Sequence, residues 1–146
     1  MIRNVDDLPQ ADKIAGGIWY LQRFIGVERD GFHDFRLLVV RGQVIAVMQR
    51  HSAHWITNVK RGGRPVTAVA NDELSALAVK AAAAVGADFA GVDILYDAEQ
   101  RPTVLEVNSM PAWSGLQKVT PMNIASAFAD ALTAVLATRG SRGAMA

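Results

Sequence analysis

The segment DFAGVDILYDAEQRPTVLEVNSMP (residues 88–111) contains two apolar runs joined by a short polar connection that includes Glu99. This pattern predicts two antiparallel strands in a hairpin. If the connection is centred just after Glu99, Asp93 lies directly opposite Glu106. Asn108 follows Glu106 by two positions and therefore points to the same face of the strand. The segment predicts two carboxylates and an amide on one face of an otherwise apolar hairpin.

Asp93, Glu106 and Asn108 form a candidate metal site, named here the oxygen trio. Opposed residues of an antiparallel pair have Cβ atoms about 4.5–5.5 Å apart, and two carboxylates this close repel each other unless a cation lies between them. Carboxylate and amide oxygens suit Mg²⁺, with water and phosphate completing the shell. The alternative is that these acids are solvated residues near a hairpin end. Their position inside apolar strands, away from the turn, favours the metal site.

A second hairpin is predicted for DFRLLVVRGQVIAVMQR (residues 34–50). With a loop of residues 41–43, Asp34 lies opposite Arg50, and Arg36 lies on the same face. Two arginines on one face form a candidate clamp for a phosphate or a carboxylate. The alternative is that both arginines point outward into solvent.

The remaining elements complete an order of strand, hairpin, helix, hairpin and helix. Aromatic and branched residues predict a strand at 18–27. A helix is predicted from Asn71, as its cap, to about residue 86, and a last helix from Thr120, also as a cap. This order predicts an α+β fold, with a mostly antiparallel sheet and helices packed on one face. Residues 1–138 are expected to form one domain and residues 139–146 a disordered tail.

Composition excludes several classes of protein. The chain has 146 residues, with 15 Lys and Arg against 14 Asp and Glu, and this balance does not suggest a binder of nucleic acid or of membrane surfaces. Without cysteine it has no disulfide framework and no Cys-based zinc site, which fits a cytoplasmic protein. No segment is long and apolar enough to predict a membrane span.

Six short motifs occur in a recognisable order, and together they resemble the C-terminal part of ATP-grasp ligases. The similarity is greatest to the branch that includes the ribosomal protein S6 glutamate ligase, and it runs from about Trp19 to the last helix. A D-x-R motif alone is weak, whereas AGVD followed by EVN at hairpin spacing is specific. The motifs are YLQRFI, DFR, MQR, TNVKRGG, AGVDIL and LEVNSMP.

The resemblance implies a role for each matching polar residue of the two hairpins. Asp93, Glu106 and Asn108 match the family's Mg²⁺ ligands, with Mn²⁺ as an alternative ion. Arg36 and Arg50 match basic catalytic residues near the transferred phosphate and the acceptor carboxylate.

Five further residues match nucleotide-binding positions of the family. Arg23 and Phe24 lie in the segment that holds adenine, and Asp34 matches an acid that contacts the nucleotide. Thr57 and Asn58 match the segment that touches the phosphates, although the composition around Asn58 also fits an ordinary turn. The chain departs from the family in having Arg23 where an acid is usual. It also has Ile56 where close relatives often have arginine.

The resemblance implies an ATP-dependent carboxylate–amine ligase that forms an amide bond through an acylphosphate. Its substrates would be a carboxylate and an amino acid, with glutamate expected as the amine. The family's N-terminal ATP-grasp subdomain is absent from this sequence, so the chain alone is expected to be an inactive C-terminal half. Two alternatives are a non-catalytic nucleotide-binding module and an interaction domain that forms a homo-oligomer.

Overall fold

A computed structural model describes residues 2, 4–27 and 31–143, and its centre is a five-stranded sheet. The strands lie in the order β3-β2-β1-β4-β5, and every neighbouring pair is antiparallel. The predicted α+β class with an antiparallel sheet is confirmed. The elements are β1 Phe32–Val40, β2 Gln43–Ser52, β3 Arg64–Thr67, α1 Asp72–Ala84, β4 Phe89–Tyr96, β5 Pro102–Asn108, α2 Ser114–Gln117 and α3 Ile124–Gly143.

The first hairpin pairs β1 with β2, and the predicted pairing of Asp34 with Arg50 is confirmed. The turn is shorter than predicted, because it consists of Arg41 and Gly42, whose φ angles of 47° and 75° are the left-handed pair that two-residue hairpin turns require. A bulge in β2 leaves Ile45 without an opposite residue. The bulge adds the residue that the shorter turn removes, so the pairing further along the strands is as predicted.

The second hairpin pairs β4 with β5, and Asp93 lies opposite Glu106 as predicted. A register shift immediately after Asp93 separates this part of the ladder from the part nearer the turn. In the connection, Oδ1 of Asp97 accepts hydrogen bonds from the backbone N–H groups of Glu99 and Arg101, at 3.0 and 2.9 Å. The side chain of Asp97 therefore holds the turn closed.

The helices cover both faces of the sheet, whereas the sequence predicted one. Leu37 and Leu38 are adjacent in β1 and both fully buried, and a strand can bury consecutive residues only when each face is covered. On one face α1 packs Leu74, Ala78 and Ala82 against Leu37, Val39, Ala90, Val92 and Ile94. On the opposite face α2 and the start of α3 pack Leu116 and Ile124 against Leu38, Ala46 and Met48.

Helix α1 begins where the sequence predicted. Oδ1 of Asn71 accepts a hydrogen bond of 2.8 Å from the backbone N–H of Leu74, and Gly86 follows the helix with a φ of 66°. The helical spacing of the apolar residues predicts that Val85 is buried, but this side chain is 62% exposed, and Ala82 is buried instead. Val85 lies at the C-cap, where the chain is already leaving the face of the helix that packs on the sheet.

Helix α3 begins at Ile124, later than the predicted cap at Thr120. Oδ1 of Asn123 accepts a hydrogen bond of 3.0 Å from the backbone N–H of Ser126, so Asn123 caps the first turn of α3. The helical spacing of the apolar residues also predicts that Leu132 is buried, but this side chain is 61% exposed, because only the start of α3 packs on the sheet. The helix continues to Gly143 through part of the predicted tail, and residues 144–146 lie outside the described residues. None of the helices described has the length and apolar character needed to cross a membrane.

The strand predicted at residues 18–27 is not present. Three short 3-10 turns between Val5 and Gly17 precede this segment, and its side chains are largely exposed, with Ile18 at 77% and Tyr20 at 89%. Aromatic and branched residues favour a strand only when a neighbouring strand supplies backbone partners. The two edges of the described sheet, β3 and β5, do not pair with it.

Candidate active site

Four charged side chains form a network on the face of the sheet that carries α2. Asp34, Arg50 and Asp93 are only 3%, 2% and 5% exposed, and Arg36 lies beside them with a side-chain exposure of 12%. The strand registers explain the grouping, because Asp34 lies opposite Arg50 and Arg36 lies opposite Asp93. These residues, named here the buried ion-pair network, bring together the predicted arginine clamp and the first member of the oxygen trio.

The charges of the network alternate along a chain of hydrogen bonds. Nε and Nη2 of Arg36 donate to the two oxygens of Asp93, each at 2.7 Å. Nε of Arg50 donates to Oδ1 of Asp34 at 2.8 Å, and its Nη2 donates to Oδ2 of Asp34 and, at 2.8 Å, to Oδ2 of Asp93. Arg50 therefore bridges two carboxylates, and each arginine makes one bidentate pair, which is a strong and directional arrangement.

Each arginine retains one donor group. Nη1 of Arg36 and Nη1 of Arg50 make no hydrogen bond within the described part of the chain. Among the residues described, no buried side-chain nitrogen or oxygen lacks a hydrogen-bond partner, so both Nη1 atoms keep contact with solvent. Each can therefore donate to an anion without breaking an existing pair.

Arg50 stays charged under all ordinary conditions. Burial alone would lower its pKa, but the hydrogen bond to Asp34 and the negative charges of Asp93 and Asp34 outweigh that effect and raise the pKa above its ordinary value. The guanidinium of Arg50 is consequently a permanent positive charge within the buried ion-pair network.

The oxygen trio lies at the edge of this network. Glu106 is exposed and its carboxylate makes no hydrogen bond with the described residues, whereas Oδ1 of Asn108 accepts from the backbone N–H of Met110 at 2.9 Å. In the described ranges no three His, Asp or Glu side chains are grouped so as to hold an ion by themselves. An ion here would need the amide oxygen and oxygens from a ligand. That donor set fits Mg²⁺, which is commonly held by one or two carboxylates together with phosphates.

The Met-Pro turn after β5 folds over the sheet beside the network. A Cβ atom on Gly91 would lie 2.7 Å from Cβ of Pro111 and 3.8 Å from Nε of Arg36. Gly91 lies opposite Asn108, so the bare backbone of β4 allows Pro111 to pack on the sheet next to two candidate site residues. This contact was not predicted from the sequence, although a glycine inside a strand, as in the AGVD motif, is a signal of close backbone approach.

The loop after β2 carries Thr57 and Asn58 on the same face. Thr57 is 8% exposed and Asn58 is exposed. A Cβ on Gly63 would lie 1.9 Å from the carbonyl oxygen of Thr57, so only glycine permits the loop to close on itself. Val59 packs against Gly115 of α2, where an added Cβ would lie 3.3 Å from the valine side chain. The loop is thus held against α2, on the face of the sheet that carries the network.

Arg23 and Phe24 lie in the exposed segment before β1. The ring of Phe24 makes edge-to-face contacts with Phe32 and Trp55, at centroid distances of 6.2 and 6.3 Å. These contacts hold the segment against the start of β1 and the loop after β2. With these contacts made, Phe24 is still 43% exposed.

The composition that follows Arg50 is typical of a solvent-exposed loop, but His51 does not belong to one. It lies in β2, is half-buried, and stacks on His33 at a centroid distance of 5.8 Å. Its Nε2 shares a hydrogen bond of 2.8 Å with Oε1 of Gln49. Burial, with the charges of His33 and Arg64, lowers the pKa of His51. The missed signal was the continuation of the β2 pattern past Arg50.

The comparisons with known proteins agree with this architecture. A model of the RimK-like ATP-grasp domain matches residues 1–132, and the chain belongs to this family. It is 37% identical over 118 residues to a tetrahydromethanopterin:alpha-L-glutamate ligase of Methanococcus maripaludis. The aligned region covers 81% of this chain and 40% of that protein. It is 41% identical over 120 residues to a probable alpha-L-glutamate ligase of Sodalis glossinidius, covering 80% of this chain and 40% of the relative.

Solved structures give the same result. The ATP-grasp ligase PsnB in complex with minimal precursor matches with a TM-score of 0.60 and 26% identity, over 77% of this chain and 36% of PsnB. PsnB in complex with a phosphomimetic variant of minimal precursor, Mg and ADP matches with a TM-score of 0.57 and 28% identity. This match covers 70% of this chain and 32% of PsnB. The chain therefore spans about two fifths of the curated relatives and about a third of the solved ligase.

Proposed function

We propose that this chain contributes the metal- and phosphate-binding face of an ATP- and Mg²⁺-dependent carboxylate–amine ligase. The observation that carries the proposal is the buried ion-pair network, which presents two arginine donors beside the oxygen trio. Membership of the RimK-like ATP-grasp family supports the reaction class. Relatives named alpha-L-glutamate ligases support glutamate as the amine, and PsnB was solved with Mg and ADP.

The proposed reaction has two balanced steps. A carboxylate oxygen of the acceptor attacks the γ-phosphorus of ATP, and ADP leaves as the acylphosphate forms. The amine nitrogen of the amino acid then attacks the acyl carbon, phosphate leaves, and the nitrogen loses a proton as the amide forms. Negative charge on the transferring phosphoryl oxygens is what the site has to stabilise.

The residues of the chain have distinct proposed roles. Asp93, Glu106 and Asn108 hold the ion, which when bound neutralises and orients the phosphates. Arg36 and Arg50 donate from Nη1 to the oxygens of the transferring phosphoryl group, at fixed positions that need no reorganisation during the reaction. Both arginines are preorganised because carboxylates already hold their other nitrogens.

Residues around the network are proposed to contact the nucleotide. Thr57 and Asn58 are proposed to contact phosphates, since their loop is anchored on the network's face. The segment with Arg23 and Phe24 is proposed to border the adenine, because Phe24 presents a partly exposed ring that a base can stack against. The matched relatives extend well beyond the aligned region, so the rest of the ATP site is proposed to come from an N-terminal ATP-grasp subdomain. By itself the chain is then expected to bind ATP weakly and to be inactive.

A second candidate function is an interaction module that lacks catalysis. The observation in its favour is the exposed apolar surface of the segment before β1, where Ile18, Tyr20 and Leu21 are 77%, 89% and 62% exposed. Such a surface commonly contacts another domain or chain. An interaction module needs no metal at the oxygen trio, and this difference separates the two candidates.

Calorimetric titration with Mg-ATP tests the proposal, and it uses the whole ligase, meaning this chain together with the proposed N-terminal ATP-grasp subdomain. The variant Asp93→Asn/Glu106→Gln removes both carboxylates of the trio, and we expect affinity to fall at least about tenfold as metal contacts are lost. The matched control is Asp97→Asn/Glu99→Gln, which removes the same two groups from the hairpin connection of the same strands. Equal affinities for the two variants would contradict the proposal and favour the interaction module.

A further inference from the structure

We propose that His33, His51 and the amide oxygen of Gln49 form a second metal site, which takes a divalent ion of the zinc class. The site lies on the face of the sheet that carries α1. Each histidine is adjacent in its strand to a residue of the buried ion-pair network, and adjacent strand residues point to opposite faces. The two histidines therefore lie across the sheet from the network, outside the proposed ligase site.

The strand register brings the two imidazoles together. His33 and His51 are directly opposed in the β1–β2 pair, and their rings stack at a centroid distance of 5.8 Å. His33 is exposed and His51 is half-buried, so an ion can reach both rings from solvent. Gln49 lies two positions before His51 in β2 and therefore shares its face. Three neutral donor side chains thus meet at one end of the hairpin.

The spacing of these donors is close to that of ligands on a single ion. Zinc binds nitrogen and oxygen ligands at about 2.0–2.2 Å, so two of its ligands lie about 2.9–3.4 Å apart. Nε2 of His51 and Oε1 of Gln49 are 2.8 Å apart. Two imidazoles on one ion have centroids about 4.5–5.5 Å apart. Because χ2 of histidine is broad, a small rotation of the exposed His33 ring brings one of its nitrogens to the same ion.

The chemistry of the donors selects the class of ion. Imidazole suits Zn²⁺, Cu²⁺ and Ni²⁺, whereas Mg²⁺ prefers carboxylate, carbonyl and water oxygens. Burial, with the charges of His33 and Arg64, lowers the pKa of His51, so its ring is neutral near neutral pH and able to bind a metal. A bound ion would tie β1 to β2 and stabilise the hairpin that carries Asp34 and Arg50. The site therefore differs from the oxygen trio in both position and ligand type.

Calorimetric titration of the chain with ZnCl₂ tests the proposal, in excess Mg²⁺ so that oxygen ligands are already occupied. We expect a single saturable site. The variant His33→Gln should weaken binding at least about tenfold, since even outer-shell partners of metal ligands contribute that much. The matched control is His54→Gln, which removes the third histidine of the chain from the exposed loop after β2 and should leave the affinity unchanged. Absence of saturable binding, or equal losses for the two variants, would overturn the proposal.

Two other variants test the ligand set and the location of the ion. Gln49→Leu removes the amide oxygen and should also weaken Zn²⁺ binding, so an unchanged affinity would contradict the assignment of Gln49 as a ligand. Asp93→Asn/Glu106→Gln removes both carboxylates of the oxygen trio and should bind Zn²⁺ as the natural chain does. Loss of binding in that variant would place the ion at the oxygen trio and refute the second site.

NMR of the natural chain keeps the test decisive if a variant does not fold. Addition of Zn²⁺ should shift the imidazole ring signals of His33 and His51 together, in proportion to the occupied fraction, and leave the ring signals of His54 in place. Shifts confined to His54, or shared equally by all three rings, would contradict the proposal.

Discussion

Two regions of this protein pair arginine with aspartate, but in different geometries and different surroundings: Arg50 contacts both oxygens of Asp34, whereas the guanidinium of Arg101 contacts only Oδ2 of Asp97. In the buried ion-pair network, Arg50 and Asp34 have side-chain exposures of 3% each. In the connection between β4 and β5, Asp97 is paired with Arg101, whose side chain is 67% exposed and also contacts Glu99. The pairs of the network join residues 16, 43 and 57 positions apart, whereas the turn pair joins residues four apart.

This difference indicates what each pair does. An exposed pair is screened by water and contributes little to stability, so Asp97 acts mainly through the backbone N–H groups that it accepts in the turn. A buried pair bears a desolvation cost that well-packed apolar residues would avoid. A network of four charged groups on a sheet face that also carries packed helices is therefore better explained by a site for ligands than by stability alone.

The largest effect is expected from removing Arg50. The variant Arg50→Ala leaves Asp34 and Asp93 buried with fewer partners, and we expect it to lower the free energy of unfolding by about 3–5 kcal/mol. The matched variant Arg101→Ala should shift the urea midpoint very little. Urea denaturation of both variants measures the contrast, and equal shifts would show that burial does not distinguish the two regions.

A smaller effect is expected from crowding the packing beside the network. Gly91→Ala places a Cβ 2.7 Å from Cβ of Pro111, and we expect destabilisation of about 1–3 kcal/mol from overpacking. The same change in a Pro111→Gly background should cost less, because the clashing ring is gone. Urea denaturation of the two backgrounds gives the comparison, and an equal cost in both would mean that the Pro111 contact does not constrain this face.

The smallest effect concerns the turn and depends on pH. The backbone N–H of Arg101, followed by its side chain, holds the pKa of Asp97 below the usual value of 3.8. A carboxylate with a lowered folded-state pKa contributes stability that is present above its unfolded pKa and is lost as pH falls through its folded pKa. Thermal melts below about pH 4 should therefore show a steeper loss for the natural chain than for Asp97→Asn. Parallel curves would contradict the assignment.

Sequence reasoning recovered the two hairpins because their registers depend on local spacing. The opposition of Asp93 to Glu106 was correct despite a register shift beside it, and that of Asp34 to Arg50 was correct because a bulge compensated for a shorter turn. The pairing of Arg36 with Asp93 could not be predicted in this way. It depends on β1 lying next to β4, which is decided by packing of the whole sheet.

The errors have local physical causes. Residues 18–27 have the composition of a strand but no ladder partner among the described strands, and composition cannot supply one. At the start of α3, Thr120 and Asn123 are both good caps, and the structure uses the later one. The expectation of helices on one face failed because the run of apolar residues at 37–40 is typical of a strand that is buried on both faces.

The most direct test of the central claim is to locate a bound ion by NMR. Mn²⁺ added with ATP to the labelled chain broadens signals of nearby nuclei, and the effect is detectable even when binding is weak. We predict the strongest broadening at the backbone amides of Asp93, Glu106 and Asn108, with the signals of Asp97 to Arg101 much less affected. Broadening centred on the hairpin connection, or spread evenly over the acidic residues, would contradict the assignment of this face as the metal and phosphate site.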